Sequence, residues 1–179
     1  IDATAGSGKT QLALTLIQQT LQRQERAAYV CFNRPLADHI TTLVSHKVEV
    51  GTVHEWALQR AQKAGLEPDF TTPGVFDTIT RTWIANAEAQ DASLDLLIID
   101  ESQDFDAEWV AALGLRLKSG GRLYLMGDTE QALYGREAFE LQDAVQIRCH
   151  ENFRSPRQIV ATLNALRLTA TPVEAMSAF

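Results

Sequence analysis

Cysteine is scarce in this chain of 179 residues: Cys31 and Cys149 are the two present, each inside an apolar run. Two cysteines cannot build a disulfide framework, and no Cys/His spacing typical of a metal site occurs. Both read as small buried residues of a protein kept in a reducing compartment, so a cytoplasmic location is expected. Long hydrophobic runs are missing too. Stretches such as Leu96-Leu97-Ile98-Ile99 fall far short of the roughly 20 residues that cross a bilayer. Nor does the chain open with a basic stretch followed by an apolar run, as a secretory signal does. No membrane partner is expected. Internal repeats and low-complexity segments are absent, and 45% hydrophobic with 22% charged residues is the balance of a globular protein. The length suffices for one domain with its own core, followed by the start of a second.

A positive surplus is lacking as well. Sixteen Lys and Arg stand against 23 Asp and Glu, a net charge of −7, which taken alone argues against a nucleic-acid partner. The charge is unevenly spread, however. Between Arg81 and Arg116 there is no basic residue and eight acidic ones, whereas Arg148 to Arg167 holds four arginines and the single acid Glu151. Net charge therefore does not decide the partner.

Leu12, Leu14, Leu16, Ile17 and Leu21 recur at near-helical spacing and predict a helix over 11–24. Apolar runs predict strands at 27–32, 48–50, 94–99, 122–126 and 145–149, with helices at about 35–44, 54–63, 75–89, 106–118 and 155–168. A loop is expected from Gly65 to Gly74 and a turn at Ser119-Gly120-Gly121. Trp56, Trp83 and Trp109 fall in helical patterns and read as core. Strands that are apolar throughout and alternate with helices predict an α/β fold: a parallel sheet with helices on both faces. Chemistry in such sheets gathers at the carboxyl ends of the strands, where the polar clusters of this chain fall.

Four clusters carry chemistry. The first is Ala3-Thr4-Ala5-Gly6-Ser7-Gly8-Lys9-Thr10, close to the phosphate loop G-x-x-x-x-G-K-[ST] with Ala at the first glycine. Gly6 and Gly8 let backbone N–H groups of Ala5 to Thr10 curl around phosphate oxygens, Lys9 reaches the β- and γ-phosphates, and the Thr10 hydroxyl suits Mg²⁺. The second is the acidic end of a strand, Asp100-Glu101-Ser102-Gln103-Asp104. Asp100 there suits the Mg²⁺ shell and Glu101 a water-activating role; an acidic strand end on its own is equally a surface cap. The third is Gly127-Asp128-Thr129-Glu130-Gln131-Ala132-Leu133-Tyr134, where the Gln131 amide suits a γ-phosphate reporter or an ordinary polar loop. The fourth is Glu151-Asn152-Phe153-Arg154-Ser155-Pro156, where Arg154 suits an arginine finger and Phe153 a base-stacking ring, or simply a helix start.

Taken together and in this order, the clusters resemble the superfamily 1 helicases of the UvrD/Rep type. That family's loop runs A-x-A-G-[ST]-G-K-T, which Ala3 fits. Its D-E-x-Q-D is met by Asp100, Glu101, Gln103 and Asp104, its G-D-x-x-Q-x-[IL]-Y by Gly127, Asp128, Gln131, Leu133 and Tyr134, and its N-[YF]-R-S by Asn152 to Ser155. Phe32-Asn33-Arg34-Pro35-Leu36-Ala37 and Gly51-Thr52-Val53-His54 are similar to its DNA-contacting motifs.

The resemblance implies a P-loop NTPase of RecA-like fold. Residues 1–150 would form an ATP-binding lobe with a small insertion at about 65–93, and residues 151–179 the start of a second lobe. It implies Mg²⁺-dependent ATP hydrolysis driving 3′-to-5′ movement on single-stranded DNA, with Lys9, Glu101, Gln131 and Arg154 catalytic. Gln103 and Phe153 would join the nucleotide site, and Phe32, Asn33, Arg34, Thr52, His54 and Tyr134 would line the strand. The Trp-Arg pair that usually follows the tyrosine is replaced by Gly135-Arg136-Glu137, and no motif of the second lobe's T-R-A type is present. The chain by itself is therefore expected to bind nucleotide and turn it over slowly or not at all. A non-helicase P-loop ATPase and a module that holds nucleotide as a structural or regulatory ligand are the alternatives.

Overall fold

The computed structural model describes residues 1–128 and 144–177. Its elements are β1 (Asp2–Ala3), α1 (Lys9–Gln22), β2 (Ala27–Cys31), α2 (Arg34–Leu43), β3 (Glu49–Thr52), α3 (Val53–Lys63), α4 (Val75–Ala85), β4 (Leu94–Asp100), α5 (Ala107–Gly114), β5 (Leu117–Met126), β6 (Arg148–Cys149), β7 (Glu151–Asn152), α6 (Arg157–Ala165) and β8 (Glu174–Ala175). Four strands lie parallel in the order β3-β2-β4-β5. β1 joins that sheet at the carboxyl end of β5, where Ala3 N–H donates to Gly127 O at 2.9 Å and Gly127 N–H donates to Ile1 O at 3.0 Å. β6 pairs in parallel with β1, Asp2 opposite Arg148 and Ala3 opposite Cys149. The strand that leads into the phosphate loop is thus bracketed by the ends of the two segments that carry the third and fourth clusters.

All five residues of β2 are buried, because both faces of the sheet are covered. Alternation then sorts the side chains. Ala27, Tyr29 and Cys31 of β2 and Leu96 and Ile98 of β4 meet Ala13 and Ile17 of α1 and Ala37 and Ile40 of α2. Ala28 and Val30 with Leu97 and Ile99 face α3, α4 and α5, where Trp56, Ile79, Trp83 and Leu113 close the other half of the core. The segment 65–93, expected as a small insertion, supplies Val75, Ile79 and Trp83 to that core and is part of the domain's packing.

The differences from the sequence expectations sit at element ends. The helix expected over 106–118 stops at Gly114, and the strand expected from Arg122 begins at Leu117. Ser119-Gly120-Gly121 lies inside that strand, not in a turn, because Gly120 takes a left-handed φ of 78° and the β4–β5 register shifts between Leu94 and Leu96, absorbing the extra residues as a bulge. The strand expected over 145–149 is confined to Arg148–Cys149, since β1, its partner, is only two residues long. The last helix ends at Ala165, short of Leu168. No helix among the described residues is long and apolar enough to cross a membrane.

Candidate functional site

The loop between β1 and α1 is built from its two left-handed glycines, Gly6 at φ 78° and Gly8 at φ 94°, a region that side chains with a Cβ disfavour. No side chain caps α1, so the first-turn amides of this 14-residue helix keep their capacity for an anion. Around Gly8 an added Cβ would meet nothing within 4 Å, which is the open side of the cradle. Gly6 is closed in: a Cβ there would stand 2.8 Å from Asn152 Oδ1 and 2.9 Å from Arg154 Cβ. Lys9 Nζ donates to Thr4 O at 3.1 Å and to Ala3 O, so its ammonium rests on the loop's own carbonyls. Thr4 Oγ1 and Ser7 Oγ are buried with no hydrogen-bond partner among the described residues.

The acidic pair ends β4. Asp100 is 3% exposed, and both its oxygens are engaged: Tyr29 Oη donates to Oδ2 at 2.5 Å and Glu101 N–H donates to Oδ1 at 2.9 Å. Burial and the adjacent Asp100 carboxylate hold the Tyr29 phenol far above its usual range, so it remains a donor at every working pH. Glu101 is held in the left-handed region at φ 53°, a conformation that costs a non-glycine residue roughly 1–2 kcal/mol. Burial first, then the Asp100 and Asp104 carboxylates, push its pKa up, and the Lys9 ammonium pulls it partly back. The nucleotide-loop lysine and the candidate base therefore feel each other across the site. Gln103 Oε1 accepts from Asp128 N–H at 3.1 Å, tying the end of β4 to the end of β5. The first two candidate clusters and the fourth lie at the carboxyl ends of the strands; Gln131 and Tyr134 lie outside the described residues.

The residues at this site suit a nucleotide with a hard cation. The two glycines, the uncapped helix and the unpartnered hydroxyls of Thr4 and Ser7 fit phosphate oxygens, and Asp100 beside the loop fits Mg²⁺. Mg²⁺ is held by one or two carboxylates together with substrate phosphates, and among the described residues no group of three His, Cys, Asp or Glu side chains occurs that could cage a metal. A family model described as an AAA domain matches residues 1–137. The chain belongs to the AAA-domain family. A search of curated proteins finds no match. Nucleotide binding through a P-loop goes with this family, and the parallel sheet covered on both faces is the α/β RecA-like P-loop fold that the sequence predicts.

The residues expected to line a DNA strand that fall within the described residues gather at the carboxyl ends of β2 and β3. Asn33 Oδ1 accepts from Leu36 N–H at 3.2 Å and caps α2. Thr52 and Glu55 form a reciprocal capping box on α3. Arg34 is ion-paired with Asp38 at 2.7 Å and with Glu55. The His54 ring stands edge-on to Phe32 with centroids 5.0 Å apart and to Trp109 at 5.6 Å. The polar members of the group thus hold local structure, and the rings of Phe32 and His54 form one aromatic cluster.

Sequence reading missed two residues of the AAA domain's site. Tyr29 carried a signal, since a hydroxyl in a fully buried apolar run requires a partner. Asn152 stands in the fourth cluster, and its side chain joins the loop to the turn that bears Phe153 and Arg154.

Proposed function

We propose that this AAA domain is the ATP-binding lobe of an ATP-dependent helicase or translocase that moves 3′ to 5′ on single-stranded DNA. What carries the reading is the convergence of loop, acidic pair and arginine turn at the carboxyl ends of the strands: Asn152 Nδ2 donates to Ala5 O at 2.9 Å, and Glu101 lies within electrostatic reach of Lys9. In this reading the amides of Ala5 to Thr10 receive the phosphates, and Lys9 leaves the carbonyls of Ala3 and Thr4 for the β- and γ-phosphate oxygens. Thr10 and Asp100 hold Mg²⁺, which supplies charge neutralisation on those oxygens. Glu101 takes the proton of the attacking water. Gln131 and Arg154 act on the γ-phosphate, Gln103 and Phe153 complete the nucleotide site, and Phe32, Asn33, Arg34, Thr52, His54 and Tyr134 meet the strand, the rings by stacking. Residues 1–150 form the lobe, and from 151 the chain leads toward a second RecA-like lobe that closes over the nucleotide.

The engagement of Arg34 by Asp38 and Glu55 and the capping roles of Asn33 and Thr52 favour a second reading, a P-loop ATPase or nucleotide-holding module without a DNA strand. Phosphate release from Mg-ATP, with and without single-stranded oligo-dT, separates the two, with Lys9→Ala as the blank. For the helicase lobe, the chain alone turns over slowly and the same lobe joined to its second lobe is stimulated by oligo-dT. Stimulation of the chain alone would overturn the requirement for a second lobe. Indifference of the two-lobe protein to DNA would overturn the helicase reading and leave the second one.

A further inference from the structure

We infer that Asn152 is a positioning residue that sets where Arg154 stands over the phosphate loop, and thereby the preference of the site for a nucleoside triphosphate over a diphosphate. The inference rests on the γ-phosphate role proposed above for Arg154.

Asn152 is 4% exposed, one of the few buried polar side chains among the described residues. An asparagine amide has two donors and two acceptor sites, and all four are used. Nδ2 donates to Ala5 O of the phosphate loop at 2.9 Å and to Ser155 Oγ at 3.2 Å. Oδ1 accepts from Arg154 N–H at 2.9 Å and from Ser155 N–H at 2.7 Å. One end of the side chain therefore grips the loop and the other grips the peptide of the arginine. Beside it, Phe153 N–H donates to Gly6 O at 2.9 Å. The residue's own backbone is pinned from outside the loop, since Met176 N–H donates to Asn152 O at 2.9 Å.

The approach is close enough that Gly6 has no room for a methyl group between Asn152 Oδ1 and Arg154 Cβ. By contrast, the Arg154 side chain is exposed and its guanidinium makes no hydrogen bond or ion pair among the described residues. Its placement over the loop is therefore set through its backbone, which Asn152 holds. A shift of the 152–155 turn would move a guanidinium relative to the γ-phosphate and leave the α- and β-phosphate cradle in place. The triphosphate-over-diphosphate ratio thus reports the tether, whereas a general loss of folding does not change it.

The test measures affinities for Mg-ADP and for a non-hydrolysable Mg-ATP analogue in the wild type, Asn152→Ala, Asn152→Ser, Arg154→Ala and the Asn152→Ala/Arg154→Ala double variant, with thermal melts alongside. Serine can still accept from the amides two and three residues on but is too short to reach Ala5 O, so it isolates the tether. The expected result is a fall of roughly tenfold in the triphosphate preference for both single Asn152 variants, the size of a lost hydrogen bond expressed at the site. The double variant should fall no further than Arg154→Ala, because both act through one contact. A folded Asn152→Ser chain with the wild-type ratio, or losses that add in the double variant, would overturn the inference. An Arg154→Ala chain with an unchanged ratio would instead remove the proposed role of Arg154, and the inference with it.

Discussion

Replacing Tyr29 by Phe removes one oxygen from the middle of the fold and leaves the ring that packs in the α1/α2 half of the core. No cavity cost arises, so the change isolates the 2.5 Å hydrogen bond from Tyr29 Oη to Asp100 Oδ2. Tyr29 is 0% and Asp100 3% exposed, so no water replaces the lost donor. A hydrogen bond to a charged group contributes about 1.5–3 kcal/mol, and its loss leaves a buried carboxylate oxygen short of a partner. The expected destabilisation is about 2 kcal/mol, which for a domain of this size lowers Tm by about 4–8 °C. Because Tyr29 also fixes the carboxylate rotamer, the Mg²⁺ concentration for half-maximal nucleotide binding should rise several-fold while binding at saturating Mg²⁺ changes little. Thermal melts and a Mg²⁺ titration read the two effects. A variant that melts within about 1 °C of wild type with an unchanged Mg²⁺ requirement would refute the assignment of Tyr29 as the partner that holds Asp100.

Glu101→Gln should abolish turnover while nucleotide affinity persists, and it should also stabilise the fold at neutral pH. The raised pKa of Glu101 means that its ionisation opposes folding; that penalty appears as pH rises past the unfolded-state pKa and is complete above the folded-state pKa, so the stabilisation seen in melts at pH 7 should fade as the pH is lowered toward the ordinary carboxylate range. Gly6→Ala, at φ 78° and with 2.8 Å to Asn152 Oδ1, should cost about 1–3 kcal/mol and weaken nucleotide binding together with stability in a titration and a melt. Arg116→Leu serves as a contrasting case at the opposite end of the sheet. Arg116 pairs with Glu49 at 2.8 Å and lies 4.6 Å from the Trp56 ring centre. Its loss should destabilise by about 2 kcal/mol, less than a fully buried pair because Glu49 is 35% exposed and keeps Arg26, with nucleotide affinity unchanged.

The sheet was legible because its strands are buried on both faces and therefore written as unbroken apolar runs, as in Ala27 to Cys31 and Leu96 to Ile99. The helix after the phosphate loop followed from the periodic leucines of α1. What escaped was set by tertiary pairing. The helix expected to reach Lys118 ends at Gly114 because β4 recruits Leu117 and the bulge at Gly120 lets the chain pass the extra residues. β1 is too short to announce itself as a strand and exists because β5 and β6 bracket it. Lys9, Thr10, Asp100 and Glu101 were legible as candidates because phosphate and Mg²⁺ chemistry uses those types at strand ends. The Tyr29–Asp100 and Asn152–Ala5 bonds were not, since they join residues 71 and 147 positions apart. The ion pair of Arg34 with Glu55, 21 positions on, is likewise set by tertiary pairing.

The loop of Ala5 to Thr10 and the Asp100 carboxylate are proposed to form a Mg-nucleotide site. Equilibrium binding of Mg-ATP to the chain, to Lys9→Ala and to Asp100→Asn, by calorimetry with and without Mg²⁺, tests it most directly. The expected result is one site per chain, a large loss of affinity in Lys9→Ala and a loss of the Mg²⁺ dependence in Asp100→Asn. Binding that is indifferent to both substitutions would contradict it.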